Sequence, residues 1–248
     1  MSLKGFQRAL ADLVATPELC RTARSDPAAA FGGYELTPLE ERRLAAVAAQ
    51  RGMATSCALY RANRLAPLYT FLPHTCFLLG ARLRAELETF WAAQTRPADI
   101  AEQELRGFAE MLRGRLASGE LEDPVLGEVL EYELAGFLLG LLPPPAADPA
   151  PEGGPARLHP RVRVVAFRHE PAALLRLLAA RQPPPYALEE GEFYLLLDAR
   201  GGERAASTVA PRLGRLLRAL DGDGEDGPAG EELETLVAAG LALPAGPG

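Results

Sequence analysis

A proline-rich stretch divides this chain into two parts with different hydrophobic patterns. Residues 143–155 read PPPAADPAPEGGP and contain no large apolar side chain, so they cannot build a core of their own. The part before this stretch carries apolar residues at helical spacing almost throughout, whereas the part after it contains runs typical of strands. We therefore predict a helical domain at 1–142, a linker at 143–157 and a smaller domain at 158–248.

The first domain is predicted to be all helix. Residues 37–40, TPLE, have the pattern of a capping box with proline inside it, and they open one of these helices. A further helix from about Ala54 to Arg64 is expected to end before Pro67, because proline disfavours helical geometry in the residue ahead of it. Pro73 then begins a short helix that Gly80 ends.

The second domain is predicted to combine strands with helices, which makes the whole chain α+β. RVRVVAFR and FYLLLD are typical of strands, and ARGGE after them predicts a turn into a hairpin partner at Arg204–Val209. Helices are predicted at residues 171–180, 211–220 and 231–240. This order resembles the small winged-helix modules that recognise peptides in peptide-maturation systems.

Charge argues against a nucleic-acid binder. The chain has a net charge of -7, and acidic residues outnumber arginine in both halves. The last predicted helix, EELETLVAAG, contains no basic residue and would be repelled by phosphate, whereas a recognition helix needs basic or amide side chains. No nucleic acid is therefore expected as a partner, although a DNA-binding regulator is kept as an alternative.

The chain has only three cysteines and three histidines, which limits the chemistry that it can supply. Cys20, Cys57 and Cys76 lie far apart, which suits buried thiols in the cytoplasm better than a disulfide framework. Three histidines are too few for a ligand-rich metal site, and the sequence has no Gly-x-Ser-x-Gly elbow, so no catalytic residue, metal ligand or cofactor is assigned to this chain. A thiol-dependent enzyme remains a further alternative. No run of residues is long enough to span a bilayer, and no membrane is expected as a partner.

The second domain offers a candidate site for a peptide. An exposed sheet edge accepts an added strand through main-chain hydrogen bonds, and an adjacent helix supplies apolar pockets. The predicted strand Arg204–Val209 is polar and flanked by glycine, as an edge strand would be. Most of the leucines nearby are expected to pack in the core, with one or two facing the groove. The predicted peptide-binding residues are Arg204, Ser207, Val209, Leu233, Leu236, Val237 and Leu241.

The stretch from Tyr60 to Gly80 resembles a block in a known family. It reads YRANRLAPLYTFLPHTCFLLG and is followed by a helix with two adjacent aromatic residues. A similar block occurs in partner proteins of multinuclear non-haem iron-dependent oxidases, once labelled putative DNA-binding, with the methanobactin-biosynthesis partner as a more distant relative. The matching residues are Tyr60, Arg61, Asn63, Leu72, Pro73, Leu78, Leu79, Gly80, Phe90 and Trp91.

The resemblance implies a non-catalytic protein that forms a heterodimer with such an oxidase. It would bind the leader of a ribosomal precursor peptide and present the peptide to the oxidase, which holds the iron. The residues predicted to dock the oxidase are Tyr60, Arg61, Asn63 and Pro73, which match the family, and Arg64, which lies beside them. Their polar side chains suit either a docking surface or a network that holds a proline-broken helix together, and the sequence leaves these two interpretations equally open.

Overall fold

A computed structural model describes residues 3–94, 101–143, 155–184, 188–222, 228 and 230–245. The fold is α+β and is dominated by helices, so the predicted fold class is confirmed. The chain divides into two compact units. The first unit contains Met1–Thr70 and Trp91–Glu104, and the second contains Phe71–Phe90 and Leu105–Gly248.

Helices occupy most of the described residues before the proline-rich stretch. In chain order they are α1 Leu3–Ala15, α2 Pro17–Ser25, α3 Pro27–Phe31, α4 Pro38–Ala48, α5 Arg51–Phe71, α6 Pro73–Leu79, α7 Leu83–Ala93, α8 Ala101–Ala117 and α9 Leu126–Gly140.

The core of the first unit is built from the apolar faces of its helices. Leu13 of α1, Phe31 of α3 and Leu44 of α4 are completely buried in one cluster. The predicted capping box at the start of α4 is confirmed. The Glu40 N–H donates to Thr37 Oγ1 at 3.3 Å, and the Thr37 N–H donates to the Glu40 carboxylate at 2.7 Å.

Helix α5 is longer than the sequence predicts. The expected end before Pro67 is wrong, because the helix continues through this proline to Phe71. An interior proline removes one hydrogen bond and costs about 3 kcal/mol. Leu68 and Leu72 beyond it are completely buried. Each buried leucine contributes about 1.5–3 kcal/mol, so burial offsets the defect.

The second unit contains every strand of the described residues, together with helices on both faces of its sheet. The strands are β1 Arg157–Leu158, β2 Val162–His169, β3 Glu190–Asp198, β4 Ala205–Val209 and β5 Ala242–Leu243. The helices after β2 are α10 Pro171–Ala179, α11 Pro211–Leu220 and α12 Glu231–Ala238. Strands β2, β3 and β4 form an antiparallel sheet in that order, which confirms the predicted hairpin. The sequence did not indicate the short pair of β1 and β5.

Alternation along β3 places apolar side chains on both faces of this sheet. Leu195 and Leu197 pack in one cluster with Val129 of α9 and Leu174 of α10. Leu196, which lies between them, packs in another cluster with Leu217 of α11. The central strand is thus covered on both faces, and among the described strands its two neighbours are the edges of the sheet.

The compact units do not coincide with the predicted domains 1–142 and 158–248. Helices α6 and α9 precede the proline-rich stretch but belong to the unit that contains the sheet. The reason is the composition of α9, which buries apolar residues around most of its circumference and packs against α6 and β2. The predicted linker at 143–157 lies largely outside the described residues.

Candidate functional site

Strand β4 presents one open edge of the three-stranded sheet. Within the part of the chain that the structure describes, it pairs with β3 on one side only, and Ala205, Ala206, Ser207 and Thr208 are all exposed. Native proteins usually protect such an edge with a charged residue, a proline or a bulge. The sequence AASTV has no charge and no proline, and its pairing with β3 has no bulge. This strand is therefore suited to accept another strand.

The register of the sheet decides which residues of β4 face that open edge. The Ala199 N–H donates to the Arg161 carbonyl at 2.9 Å, which makes these two residues a hydrogen-bonded pair. From that pair onwards, hydrogen-bonded and non-hydrogen-bonded pairs of residues alternate along β2 and β3. The intervening residues of β3 bond to β4 instead. Ser207 and Val209, which were predicted to bind the peptide, therefore direct their main-chain groups towards β3.

Ala206 and Thr208, which were not among the predicted peptide-binding residues, present their main-chain groups at the open edge of β4. Ala206 and Thr208 alternate with the paired residues of β4, so their N–H and C=O groups point away from β3. Main-chain groups of successive strand residues point to opposite sides of the strand. The sequence AASTV does not show which of its residues bond to β3 and which point to the open edge. That choice follows from the position of the hydrogen-bonded pairs along the sheet.

The predicted apolar groove residues lie mainly in the core. Leu236 is 5% exposed, and Leu233, Val237 and Leu241 are partly buried against the same cluster on the α11 face of the sheet. Val209 packs against that cluster as well. The expectation that most of these side chains pack in the core is confirmed, and they support the sheet on which β4 lies.

Arg204 reaches back to helix α9 and does not line the open edge. A methyl group on Gly136 of α9 would overlap the Nη1 atom of Arg204. Glycine at this buried position therefore leaves room for the guanidinium group.

Arg61 and Arg64 of the Tyr60–Gly80 block have partners inside the first unit. Arg64 donates to both carboxylate oxygens of Glu104, at 2.9 and 3.0 Å, and also to the side chain of Gln94. The Trp91 indole N–H donates to the same carboxylate at 2.7 Å. The guanidinium groups of Arg61 and Arg64 lie 5.8 and 5.0 Å from the Trp91 ring centroid, which is cation–π distance.

These contacts favour the network interpretation over the docking interpretation for Arg64. Its side chain is 11% exposed and that of Glu104 is 4% exposed, so the pair is largely desolvated. Tyr60 lies beside it, and burial raises the pKa of its hydroxyl group. The sequence offered no signal for this pairing, because the two residues are 40 positions apart.

Asn63 is the predicted docking residue that is most open to solvent. It lies on an exposed face of α5 with Leu59, which is 60% exposed and one helical turn earlier. Arg61 is partly exposed and approaches Glu18 of α2 at 3.7 Å. Pro73 belongs to the other compact unit.

A buried carboxylate holds the start of α6, which begins at Pro73. Glu133 of α9 accepts hydrogen bonds from the main-chain N–H groups of His74 and Thr75, at 2.7 and 2.8 Å. Burial raises the pKa of Glu133 despite these two bonds. The contact joins α6 to α9 and explains why α6 stays with the sheet unit.

The three thiols are buried in the described structure. Burial raises the pKa of Cys57, with a smaller contribution from neighbouring Cys20. Burial and the nearby Glu133 carboxylate raise the pKa of Cys76 to about 12. A nucleophilic cysteine requires the opposite shift, because the thiolate is the reactive form.

Within the described ranges, no group of three or more His, Cys, Asp or Glu side chains is placed to hold a metal ion. None of the described helices is long and apolar enough to cross a membrane. No protein-family model matches the chain, and a search of curated proteins finds no match.

Proposed function

We propose that this chain is a non-catalytic partner protein that binds a precursor-peptide leader and presents the peptide to a separate iron-dependent oxidase. The observation that carries the proposal is the open, uncharged edge of β4 on a sheet whose two faces are already covered. The resemblance of the Tyr60–Gly80 block to oxidase partner proteins supports the choice of oxidase.

Strand addition explains how such an edge binds many side-chain sequences. Ala206 and Thr208 offer two N–H donors and two C=O acceptors to an incoming extended chain. Main-chain bonds supply affinity, and the small side chains along β4 let the added strand approach closely. A leader peptide therefore needs an extended stretch of a few residues and no folded structure.

The contribution of this protein to the reaction is proximity. Binding leader and oxidase together makes the encounter of peptide and enzyme intramolecular, with an effective concentration in the millimolar range for a short flexible connection. The iron and the oxidation chemistry belong to the partner, and the proposed assembly is a cytoplasmic heterodimer with that enzyme. On the first unit, the surface available for docking is the exposed face of α5 that carries Leu59 and Asn63.

Two measurements test the proposal. The protein is co-expressed with an oxidase encoded beside its gene, and the leader of a short peptide encoded there is titrated by fluorescence anisotropy. We expect co-purification and a Kd below about 100 μM, which corresponds to roughly 5.5 kcal/mol of binding free energy. If the oxidase does not co-purify and the leader does not bind, the proposal is wrong.

A substitution on the β4 edge locates the leader. Thr208→Pro removes one outward N–H group and leaves the bonds to β3 in place, because that N–H takes no part in the pairing. It should weaken leader binding about tenfold or more. Thr208→Ala keeps the N–H group and should bind normally, so equal losses in both variants would count against strand addition.

A further inference from the structure

A groove lies along the β2 edge of the sheet, on the side opposite β4. It has a volume of about 820 Å³, and its walls come from strand β2 and from helices α8, α9 and α11. Clefts of about 300–1,000 Å³ are typical of ligand sites. Residues Arg163–Ala166 of β2 form one side, and Leu134, Ala135 and Leu138 give the α9 side an apolar surface.

The β2 edge carries main-chain groups that the sheet does not use. The alternation that begins at the Ala199–Arg161 bond leaves Val164 and Ala166 in non-hydrogen-bonded pairs with β3. Their N–H and C=O groups therefore point away from β3, and both residues line the groove. Among the described residues, these outward groups have no other hydrogen-bond partner.

The open stretch of β2 is short and is closed at both ends. The Val162 N–H donates to the His159 carbonyl at 2.9 Å, and the Arg168 N–H donates to the Glu128 carboxylate at 2.6 Å. Only the two residues between these ends, within the described part of the chain, remain available to an added strand. These two residues are about 6.7 Å apart along the strand, so they can pair with alternate residues of a short extended segment.

The charges along the groove favour an acidic occupant. Arg163 donates to the carbonyls of Pro160 and Val162, and neither it nor Arg168 forms an ion pair with a described carboxylate. Arg218 and Asp221 of α11 also line the groove and carry opposite charges. Two of the other lining carboxylates are paired with arginines: Glu131 with Arg113 at 2.5 Å and Asp123 with Arg82 at 3.0 Å. The third, Glu128, is hydrogen-bonded to His169 at 2.7 Å and to the Arg168 N–H at 2.6 Å.

We propose that this groove binds an extended acidic peptide segment as an additional strand on β2. The segment bonds to the main chain of Val164 and Ala166, packs apolar side chains against Leu134 and Leu138, and places carboxylates near Arg168. The site is separate from the β4 edge and does not depend on the proposed function. It gives the protein a second peptide-binding surface on the other side of the same sheet.

Two blocked, fluorescein-labelled octapeptides test the proposal with the full-length protein. One alternates valine with aspartate and the other alternates valine with lysine. We expect the acidic peptide to bind about tenfold more tightly, a difference of about 1.4 kcal/mol. Binding should weaken as salt is raised, because the arginines are at the surface. Absence of acidic-peptide binding up to about 1 mM, or equal affinity for both peptides, would overturn the proposal.

A matched pair of proline substitutions separates the two edges. Ala166→Pro removes an outward N–H of β2, and Thr208→Pro removes the equivalent group of β4. Loss of acidic-peptide binding only in Ala166→Pro supports the groove, whereas loss only in Thr208→Pro places the peptide at β4 and overturns the proposal. This last result leaves the leader titration, and with it the proposed function, unaffected.

A charge reversal covers the case in which Ala166→Pro does not fold. Arg168→Glu should lower the affinity for the acidic peptide and raise the affinity for the lysine peptide. Arg84→Glu is the control, because Arg84 is an exposed arginine of α7 that does not line the groove. If Arg168→Glu changes neither affinity, or if both variants change them equally, the groove does not bind the peptide by its charge and the proposal fails.

Discussion

Arg64 and Glu104 form a two-pronged ion pair that is almost completely removed from solvent, with donor–acceptor distances of 2.9 and 3.0 Å. The same carboxylate accepts the Trp91 indole N–H, so one acidic group satisfies two side chains of the first unit. A buried ion pair of this kind contributes to stability mainly because each charge would be costly to bury without the other. Its role is to hold α5 to the segment that contains Trp91 and Glu104.

Removal of one partner of this pair should be costly. Glu104→Ala leaves the Arg64 charge buried without its carboxylate, so we expect the free energy of unfolding to fall by about 3–5 kcal/mol. Urea denaturation followed by circular dichroism measures the change. Glu88→Ala, which removes an exposed partner of Arg84, is the control and should cost less than about 0.5 kcal/mol. Similar costs for the two variants would show that the Arg64 pair is solvated.

Two glycines in helices of the second unit should respond differently to alanine. At Gly214 of α11, an added methyl group would overlap the Tyr194 ring and also its Cβ atom, which is bonded to the main chain of β3 and cannot turn away. We expect Gly214→Ala to lower stability by about 1–3 kcal/mol through overpacking. At Gly136 the overlap is with the end of the flexible Arg204 side chain, so Gly136→Ala should be neutral or raise stability by up to about 1 kcal/mol. Thermal unfolding of both variants tests the difference, and equal losses would contradict it.

The interior proline of α5 should limit the stability of the first unit. Pro67→Ala restores an N–H group that can donate to the Asn63 carbonyl, so we expect a gain of about 1–2 kcal/mol in chemical denaturation. Pro73→Ala is the matched control. Pro73 is the first residue of α6, where an N–H group has no partner inside the helix, and its replacement should change stability by less than about 1 kcal/mol. A loss of stability in Pro67→Ala would contradict the expectation that the missing hydrogen bond limits α5.

Cys76 should make the protein sensitive to alkaline pH. Its pKa is raised to about 12 in the folded chain, mainly by burial, whereas an unfolded cysteine titrates near 8.5. The unfolded state therefore loses the proton first, and the stability that the neutral thiol contributes is present below pH 8.5 and declines as the pH rises. The expected loss is about 2–3 kcal/mol between pH 8.5 and 10.5.

Comparison with Cys76→Ala isolates this contribution. Urea denaturation at a series of pH values should show a steeper decline for the unsubstituted protein than for the variant. Identical pH profiles would mean that Cys76 ionises normally in the folded protein. Iodoacetamide labelling provides a second readout, since native Cys76 should react only after unfolding.

Local patterns in the sequence determined much of the secondary structure. The capping box at Thr37, the short helix that begins at Pro73 and the hairpin into β4 are all present, because each depends on the chemistry of a few neighbouring residues. The expected end of α5 before Pro67 is wrong for the complementary reason. Local propensity favoured a break there, and burial of Leu68 and Leu72 outweighed it.

The sequence alone thus determined an α+β chain in which a polar strand forms a hairpin with the apolar strand before it. Only the tertiary structure decided which groups that polar strand exposes at its open edge, because the hydrogen-bond register of the whole sheet turns Ala206 and Thr208 outward and Ser207 inward. It also decided that Arg64 is paired with Glu104 and that α9 belongs with the sheet. These outcomes depend on contacts between residues far apart in the chain, which no local pattern encodes.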